Sequence, residues 1–246
     1  MALSTIEQAL DALRNGKPVL VADDENRENE GDAIIAAQFA TTEWMAWMVK
    51  HTTGFLCAPM EDGKANELEL PLMTTDNQDP HGTSYTITVD AAARESTGVS
   101  ASDRALTART LASEGSGPES FIRPGHIIPL RAHQHGVHGR PGHTEATVDL
   151  LKLAGLIPVG VIGEMVTANG SMMRLPELIE VGEKENLPVI TIAQLVAYLK
   201  EHNINHVHRD NNRIRFEAEA NIPTIHGDFR AVSYTHLRAH ETGRNL

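Results

Sequence analysis

The sequence predicts a layered domain of the α/β or α+β class that extends to about residue 203. Helical and extended patterns alternate along the chain, which is typical of helices packed on a sheet. The strand-like segments include wholly apolar runs as well as alternating ones. The chain has 246 residues, of which 41% are hydrophobic, and this is enough to bury a substantial core.

The predicted elements follow one another in a regular order. Ser4 lies three residues before Glu7, which is the spacing of a capping box, and Gly16 should end this first helix. Further helices are predicted in TTEWMAWMVK, SASDRALTARTLASEG, HTEATVDLLKLAG, residues 175 to 183 and AQLVAYLKEHN, and Ser100 should be the cap of the second of these. Strands are predicted in PVLVAD, AIIAAQ, SYTITVDA, HIIPLRA, PVGVIGEM and LPVITI, of which SYTITVDA has the clearest alternation.

Composition restricts the class of protein. The formal net charge of −12 disfavours nucleic acid and anionic membranes as partners. No apolar run approaches the ~20 residues of a membrane span, and the amphipathic, acidic N-terminal segment does not resemble a signal peptide. The only cysteine, Cys57, excludes an internal disulfide and a multi-thiolate zinc site, and we interpret it as a small buried hydrophobic residue. A soluble, cytoplasmic protein is therefore expected.

The segment DDENRENEGD, residues 23 to 32, contains six carboxylates and one arginine directly after an apolar strand. A solvated surface turn is one interpretation. The alternative is a cation site, because crowded carboxylates repel one another unless a positive charge compensates them. Gly31 allows the backbone to fold back so that several carboxylates converge. Oxygen ligands of this kind suit Mg²⁺ or Mn²⁺.

The tetrapeptide Arg-Pro-Gly-His occurs twice, and the second copy, residues 140 to 143, leads into a helix predicted to begin at Thr144. Backbone N–H groups at a helix start bind anions, phosphate above all. Arg140 adds a planar donor fork, and Thr144 adds a hydroxyl. His143 could present its imidazole to a metal held by the acidic loop. A capping threonine beside an incidental histidine is the alternative.

The first copy, residues 123 to 126, precedes an extended segment, so a phosphate site is not expected there. His126 is interpreted as a proton carrier at the start of a strand, because imidazole titrates near neutrality. A core histidine with satisfied hydrogen bonds is the alternative. Glu164 is the only acid in an otherwise apolar strand, so it should either pair with a cation or take part in acid–base chemistry. Three further histidines are expected to be solvated: His133, His135 and His138.

Several of these motifs together resemble the 3,4-dihydroxy-2-butanone 4-phosphate synthase family. The resemblance rests on DDENRENEGD, SYTITVDA, STGVSASDR, RPGHIIPLRA, GRPGHTEATVDLLKLAGL and GVIGE, in that order, and covers roughly residues 4 to 203. It implies an α+β fold, a three-layer α/β/α domain around a mixed β-sheet, that forms homodimers with sites near the subunit interface. It also implies the conversion of D-ribulose 5-phosphate to 3,4-dihydroxy-2-butanone 4-phosphate and formate, with two Mg²⁺ or Mn²⁺ ions per active site.

The resemblance also assigns roles to individual residues. Glu28 would bridge the two metals, and His143 would ligate one of them. His126 and Glu164 would be the acid–base residues. The residues implied in substrate binding are Arg27, Glu28, Asp32, Arg140, Pro141, Gly142, His143, Thr144 and Glu164.

The C-terminal part of the chain has a different character. The segment ANIPTIHGDFRAV resembles the beginning of GTP cyclohydrolase II, but that enzyme binds zinc through three cysteines, so its activity is not expected here. We therefore expect a synthase domain over 1–203, a linker over 204–220, and over 221–246 a truncated cyclohydrolase start with an unmatched tail that is disordered. The segment SYTHLRAHETGRNL matches neither family and suggests a truncated reading frame or foreign sequence.

Two other functions compete with the synthase at this point. A phosphosugar isomerase would stop at the enediolate and release no formate. A non-catalytic or nucleotide-binding module would have no need of Glu28, His126, His143 and Glu164 together.

Overall fold

The computed structural model describes residues 3–204 together with the backbone of two later strands, Ile214–Thr224 and Gly227–His236. The chain divides into two compact units, Met1–His206 and Val207–Leu246. The first unit contains every predicted site residue, so its sheet and helices are the frame of the site.

The first unit has eight strands and eight α-helices among its described residues, with two short 3-10 helices at Ala37–Phe39 and Pro118–Ser120. The strands are β1 (Val19–Ala22), β2 (Gly31–Ala36), β3 (Cys57–Met60), β4 (Ser84–Tyr85), β5 (Val89–Ala91), β6 (Phe121–Arg131), β7 (Gly160–Glu164) and β8 (Val189–Thr191). The helices are α1 (Ile6–Arg14), α2 (Thr42–His51), α3 (Asp62–Glu67), α4 (Ala101–Ala112), α5 (Gly136–Gly139), α6 (His143–Leu153), α7 (Leu175–Glu185) and α8 (Ile192–Glu201).

The strands form one mixed sheet in the order β4-β6-β3-β7-β2-β1-β8, with β5 paired to β6. The β1–β8 and β3–β6 pairs are parallel, and the β1–β2, β2–β7 and β3–β7 pairs are antiparallel. Successive residues of a strand point to opposite faces, so Leu20 joins one apolar cluster and Val21 the other. One cluster takes in α2, α3, α4 and α7, and the other takes in α1, α6 and α8. The predicted three-layer α+β fold is confirmed.

The start of the first helix differs from the prediction. Thr5, not Ser4, is the N-cap. The Thr5 hydroxyl accepts a hydrogen bond from the Gln8 N–H, and the Thr5 N–H donates one to the side-chain oxygen of Gln8. Ser4 instead bonds to β8, because its N–H donates to the Val189 carbonyl and its hydroxyl accepts the Val189 N–H. A threonine next to the predicted serine satisfies the same capping rule and leaves the serine to cover an edge strand.

Other predicted elements have shifted or divided. The segment SYTITVDA forms two short strands, β4 and β5, which both pair with β6. The helix expected from Thr144 begins at His143 with Gly142 as its N-cap. The predicted cap at Ser100, which accepts the Asp103 N–H, is confirmed. Cys57 is buried, as predicted.

The second unit contains two antiparallel strands, Ile214–Thr224 and Gly227–His236, with a register shift at Ser233/Tyr234. The first of these strands crosses the boundary expected at residue 220 between linker and tail, and the second occupies a segment expected to be disordered. Residues 237–246 of the predicted tail lie outside the described residues. Within the described part of the chain, every helix is too short or too polar to cross a membrane.

Candidate active site

The acidic loop connects the two antiparallel strands β1 and β2, and Asp23 organises it from within. The Asp23 carboxylate accepts the backbone N–H groups of Glu28 and Glu30 at 3.2 and 2.9 Å. It also accepts the guanidinium of Arg27 at 2.9 Å. Because this buried carboxylate satisfies so many donors, the loop folds back on itself and carries Glu28 inward. A simple solvated turn does not describe this geometry.

Three side chains of the loop and of helix α6 form a candidate metal cluster. Ligand atoms of Asp23, Glu28 and His143 all lie within 4.8 Å of one another. The Nδ1 atom of His143 lies 3.8 Å from Glu28 Oε2 and 3.5 Å from Asp32 Oδ1. Glu28 and His143 are the predicted metal ligands, and the structure brings them together.

The backbone of β1 fixes the orientation of the His143 ring. Its Nε2 atom lies 3.0 Å from the Val21 carbonyl oxygen, so Nε2–H is the donor. In the neutral ring this leaves the lone pair on Nδ1, which faces the carboxylates. A histidine that donates one ring N–H to a backbone carbonyl and presents the other nitrogen to acidic groups has the orientation of a metal ligand.

The charges of the cluster are strongly coupled. Burial by itself would lower the pKa of His143, but the carboxylates of Asp32, Glu28 and Asp23 raise it to about 9. Burial opposes the ionisation of Glu28, yet hydrogen bonding to His143 and the charge of Arg27 lower its pKa to about 2. The metal-free cluster therefore holds an imidazolium against its carboxylates, in the place where a divalent cation would supply the charge.

Asp32 provides an independent test of whether a cation fits here. It lies on β2, is almost fully buried, and burial raises its pKa to about 7. Its Oδ1 atom has no hydrogen-bond partner among the described residues. A buried carboxylate oxygen without a donor, beside Glu28 and His143, fits a divalent cation or a hydroxyl group of a ligand.

The N-terminus of α6 forms the second part of the site. Gly142 is the N-cap, and a Cβ atom at this position would lie 2.5 Å from Arg140 Nη1 and 2.9 Å from Arg27 Nη2. The absence of a side chain therefore lets two guanidinium groups approach the start of an 11-residue helix. Two arginines at a helix N-terminus are groups that could bind an anion. Pro141 is exposed, and Thr144 is buried in the first helical turn.

Protein groups hold Arg140 in place. Its Nη1 donates to Glu145 at 2.7 Å, its Nη2 donates to the Thr83 hydroxyl at 2.8 Å, and its Nε donates to the His81 carbonyl at 3.0 Å. Glu145 is fully buried and also accepts the His133 N–H at 2.9 Å. A guanidinium has five N–H donors, so the fork keeps donors for a ligand while its direction is fixed.

The first Arg-Pro-Gly-His copy forms a bulge in β6 instead of a helix start. Val89 pairs with Ile127, while the adjacent Asp90 pairs with Ile122, so residues 123 to 126 leave the ladder. His126 is therefore within a strand and not at its start. The Asp90 carboxylate accepts the His126 N–H at 2.8 Å and faces Nδ1 at 2.9 Å. Asp90 is buried, whereas the imidazole is largely exposed.

Close packing explains the glycine of this bulge. A Cβ atom on Gly125 would overlap the backbone of Val89 and Asp90. In this first copy, the missing side chain of the glycine allows close contact with a neighbouring strand. In the second copy, it allows two arginines to approach the helix start. The two copies have different structural roles, as the sequence predicts.

His126 and Glu164 lie toward the same end of the neighbouring strands β6, β3 and β7. Cys57 pairs with Ile128 of the parallel strand β6 and with Ile162 of the antiparallel strand β7. His126 precedes Ile128 by two residues and Glu164 follows Ile162 by two, so both are displaced toward the start of β3. Glu164 also lies directly opposite Asp32. Within the described residues, the polar partner of His126 is Asp90 and not a member of the metal cluster.

Sequence reasoning missed three residues of the site: Asp23, Asp90 and Glu145. Asp23 appeared only as one of six acids, although its position directly after an apolar strand could have indicated its burial. Asp90 is the next-to-last residue of the alternating segment SYTITVDA, and the segment itself does not indicate that its partner is His126. Glu145 is the third residue of a helix, where an acid is so common that only the structure reveals its contacts.

The fold and the site together define a class of protein: a mixed-sheet α+β fold with a candidate divalent-cation cluster beside two arginines at a helix N-terminus. Comparison with known proteins specifies the family. The family model described as 3,4-dihydroxy-2-butanone 4-phosphate synthase matches residues 7–198. The chain belongs to this family.

Individual relatives agree with this assignment. The chain is 51% identical over 230 residues to the riboflavin biosynthesis protein RibBA of Salinispora arenicola (strain CNS-205), covering 94% of this chain and 53% of the relative. It is 50% identical over 235 residues to RibBA of Rhodococcus erythropolis (strain PR4 / NBRC 100887), covering 95% and 54%. The chain thus spans about half the length of the curated relatives it matches.

Solved structures match the first unit closely. A crystal structure of 3,4-dihydroxy-2-butanone 4-phosphate synthase in complex with two magnesium ions superposes with a TM-score of 0.80 at 43% identity, covering 82% of this chain and 99% of that one. The Candida albicans synthase superposes with a TM-score of 0.75 at 50% identity, covering 81% and 99%.

Proposed function

We propose that this chain converts D-ribulose 5-phosphate to 3,4-dihydroxy-2-butanone 4-phosphate and formate in riboflavin biosynthesis. The observation that carries the proposal is the convergence of Arg27 and Arg140 on Gly142, directly beside the cluster of Glu28 and His143. An anion site next to a cation site suits a substrate with a phosphate at one end and adjacent oxygen atoms at the other.

The substrate is held between the proposed anion site and the proposed cation site. The N-terminal turn of α6, from Arg140 to Thr144, binds the phosphate through backbone N–H groups and guanidinium donors. Arg27 and the buried carboxylate of Asp32 bind sugar hydroxyls, which gives the unpartnered Asp32 oxygen a donor. Because both ends are fixed, the carbon chain lies across the ends of the neighbouring strands β2 and β7 where Asp32 and Glu164 are located.

Glu28 and His143 would hold Mg²⁺ or Mn²⁺, with two ions per site. This number is supported by the related synthase whose crystal structure is in complex with two magnesium ions. When bound, these ions act as Lewis acids that stabilise negative charge on neighbouring carbonyl and hydroxyl oxygens. The chain's own contribution is the orientation of its ligands. Val21 holds the His143 ring, and Arg27 and the Asp23-ordered loop hold the Glu28 carboxylate at an ion-pair distance of 2.7 Å from Arg27.

Glu164 and His126 carry the protons of the reaction. A base removes the proton from carbon to form an enediol, and an acid protonates the departing hydroxyl as water leaves. Skeletal rearrangement follows, and water then adds back to release one carbon as formate. The water lost equals the water returned, so the five-carbon phosphate yields the four-carbon phosphate and formate with all atoms balanced. Asp90 holds the His126 ring through Nδ1, and this leaves Nε2 of the exposed imidazole for proton transfer.

We also propose that the protein acts as a homodimer, with a second copy covering the surface beside Glu164. Phe55, Leu72 and Met73 are large apolar residues with 47–52% of their surface exposed. Phe55 packs against the ring of Tyr85, and the Met73 N–H bonds to the Tyr85 carbonyl, so these side chains belong to one region. Exposed apolar side chains grouped in this way mark a protein interface. Light scattering should give twice the chain mass, and Phe55→Glu with Met73→Glu should give the monomer.

Formate release is the test of the proposed activity. The purified chain should release formate from D-ribulose 5-phosphate with Mg²⁺, lose this activity in excess EDTA, and regain it when Mg²⁺ or Mn²⁺ is restored. Glu164→Gln should abolish turnover while the protein stays folded. Isomerised phosphosugar without formate would instead identify the isomerase, and substrate binding without turnover would identify a binding module.

A further inference from the structure

A hydroxyl group in the turn between α2 and β3 forms a hydrogen bond with the Glu164 carboxylate. The Thr53 Oγ1 atom lies 2.7 Å from Glu164 Oε2, and the Thr53 N–H donates to the Glu164 backbone carbonyl at 2.8 Å. Thr53 thus contacts both the side chain and the main chain of the same residue. None of the motifs considered in the sequence included it.

The direction of this hydrogen bond is fixed by a second contact. The Phe55 N–H donates to Thr53 Oγ1 at 3.2 Å, so that oxygen already accepts one hydrogen bond. A hydroxyl has one proton of its own, and the carboxylate is an acceptor. The Thr53 hydroxyl therefore donates to Glu164 Oε2.

The turn is held although Thr53 itself is exposed. The buried Thr52 hydroxyl accepts the Gly54 N–H at 3.1 Å, and the Gly54 carbonyl accepts Arg104 Nη1 at 3.0 Å. Arg104 belongs to α4, and its Nε bonds to the Val99 carbonyl. The hydroxyl of Thr53 therefore belongs to a turn that hydrogen bonds hold in place, and not to a free loop.

We propose that Thr53 is a positioning residue for Glu164, and this inference rests on the proposed function. Its hydroxyl anchors Oε2 and leaves Oε1, which has no hydrogen-bond partner among the described residues, for the reacting group. A carboxylate held through one oxygen loses the freedom to rotate that an unanchored one has. Thr53 should therefore affect the reacting step more than the binding of the phosphosugar.

The test measures kcat and KM for formate release by the full-length, Mg²⁺-loaded protein. Thr53→Val should lower kcat about tenfold, the loss expected for one hydrogen bond to a charged group, while KM stays within about twofold. Thr53→Ser, which keeps the hydroxyl, should recover most of kcat. Ser113→Ala is the matched control, because Ser113 accepts an N–H two residues along in another exposed turn but contacts no carboxylate. Its kcat should equal that of the wild type.

A double-mutant cycle separates positioning from folding. The shorter side chain of Glu164→Asp cannot keep the same contact, so Thr53→Val should cost much less in that background. Wild-type kcat in Thr53→Val, failure of Thr53→Ser to recover it, or an equal loss in both backgrounds would overturn the inference. Absence of formate from the wild type itself would overturn the proposed function, which is a separate result.

Discussion

Asp32 and Glu164 lie directly opposite each other on the neighbouring antiparallel strands β2 and β7. Opposed residues extend their side chains to the same face of a sheet, so two carboxylates occupy one small region. Burial, and then the charges of Glu164 and Glu28, raise the pKa of Asp32, while His143 acts in the opposite direction. The arrangement requires positive charge, which His143 and a bound divalent cation would supply.

Glu28→Gln should weaken the binding of Mn²⁺ or Mg²⁺ at least about tenfold, because it removes a negatively charged ligand from the cluster. Titration calorimetry, or the electron paramagnetic resonance signal of free Mn²⁺, measures the change directly. Glu25→Gln is the matched control, since Glu25 is an exposed acid of the same loop. Equal affinities in the two variants would show that Glu28 is not a ligand.

Gly142→Ala should impair phosphate binding, because the added methyl group occupies the space between the guanidinium groups of Arg140 and Arg27. We expect KM for D-ribulose 5-phosphate to rise about tenfold or more, together with weaker inhibition by inorganic phosphate. In the control Gly115→Ala, the new methyl group makes only an ordinary contact with Ser113. Unchanged KM in Gly142→Ala would place the phosphate elsewhere.

Asp90→Asn should lower kcat about 100-fold with little change in KM. The Asp90 carboxylate accepts a hydrogen bond from His126 Nδ1–H, and an amide can instead donate to that nitrogen and reverse the tautomer of the ring. Steady-state kinetics with formate detection gives both constants. Asp76→Asn, at an exposed acid of another loop, should behave as the wild type. A large rise in KM with normal kcat would mean that Asp90 supports substrate binding instead.

Asp103→Asn should destabilise the protein in a pH-dependent way. The Asp103 carboxylate accepts a hydrogen bond from the Ser96 hydroxyl and others from the Glu95 and Gly98 N–H groups. The Ser96 bond is the largest cause that lowers its pKa to about 2, from an ordinary value of 3.8. A lowered carboxyl pKa contributes stability that is complete above the ordinary value and is lost as pH falls through the lowered one.

Urea unfolding of the wild type and of Asp103→Asn should therefore give the largest difference in midpoint near neutral pH. The difference should narrow as the pH falls from about 4 toward 2, where the wild-type carboxyl also becomes neutral. Glu114→Gln, at an exposed acid after the same helix, should show little difference at any pH. If the difference in midpoint does not change with pH, the loss of stability comes from the altered hydrogen-bonding geometry of the side chain and not from the loss of its negative charge.

The sequence predicts the fold well where only one residue or one segment fits a local pattern. The Ser100 cap and the alternation of helices and strands are of this kind, since each depends on neighbouring residues only. Where two residues satisfy the same rule, tertiary contacts decide, and Ser4 is bound to β8 while Thr5 caps the helix. The division of SYTITVDA depends on the bulge in β6, which is more than thirty residues away and cannot be read from the segment itself.

The candidate site shows the same limit. Glu28 and His143 could be singled out because their surroundings in the chain, an acidic loop and a helix start, indicate a chemistry. Asp90 and Thr53 could not, because their importance comes from what they contact. Each acts on a residue that is distant in the chain, His126 and Glu164, and hydrogen bonds of this kind follow from the packing of the whole sheet.

The proposed ligands Glu28 and His143 come from distant parts of the chain and meet only in the folded protein. A cation bound by both is therefore absent from the unfolded chain, and its binding adds to the free energy of unfolding. At one hundred times its dissociation constant a ligand adds about 2.7 kcal/mol, which lowers the population of unfolded molecules about 100-fold. Proteases act on that population, so the metal supply of the cell would govern the lifetime of this protein as well as its rate of turnover.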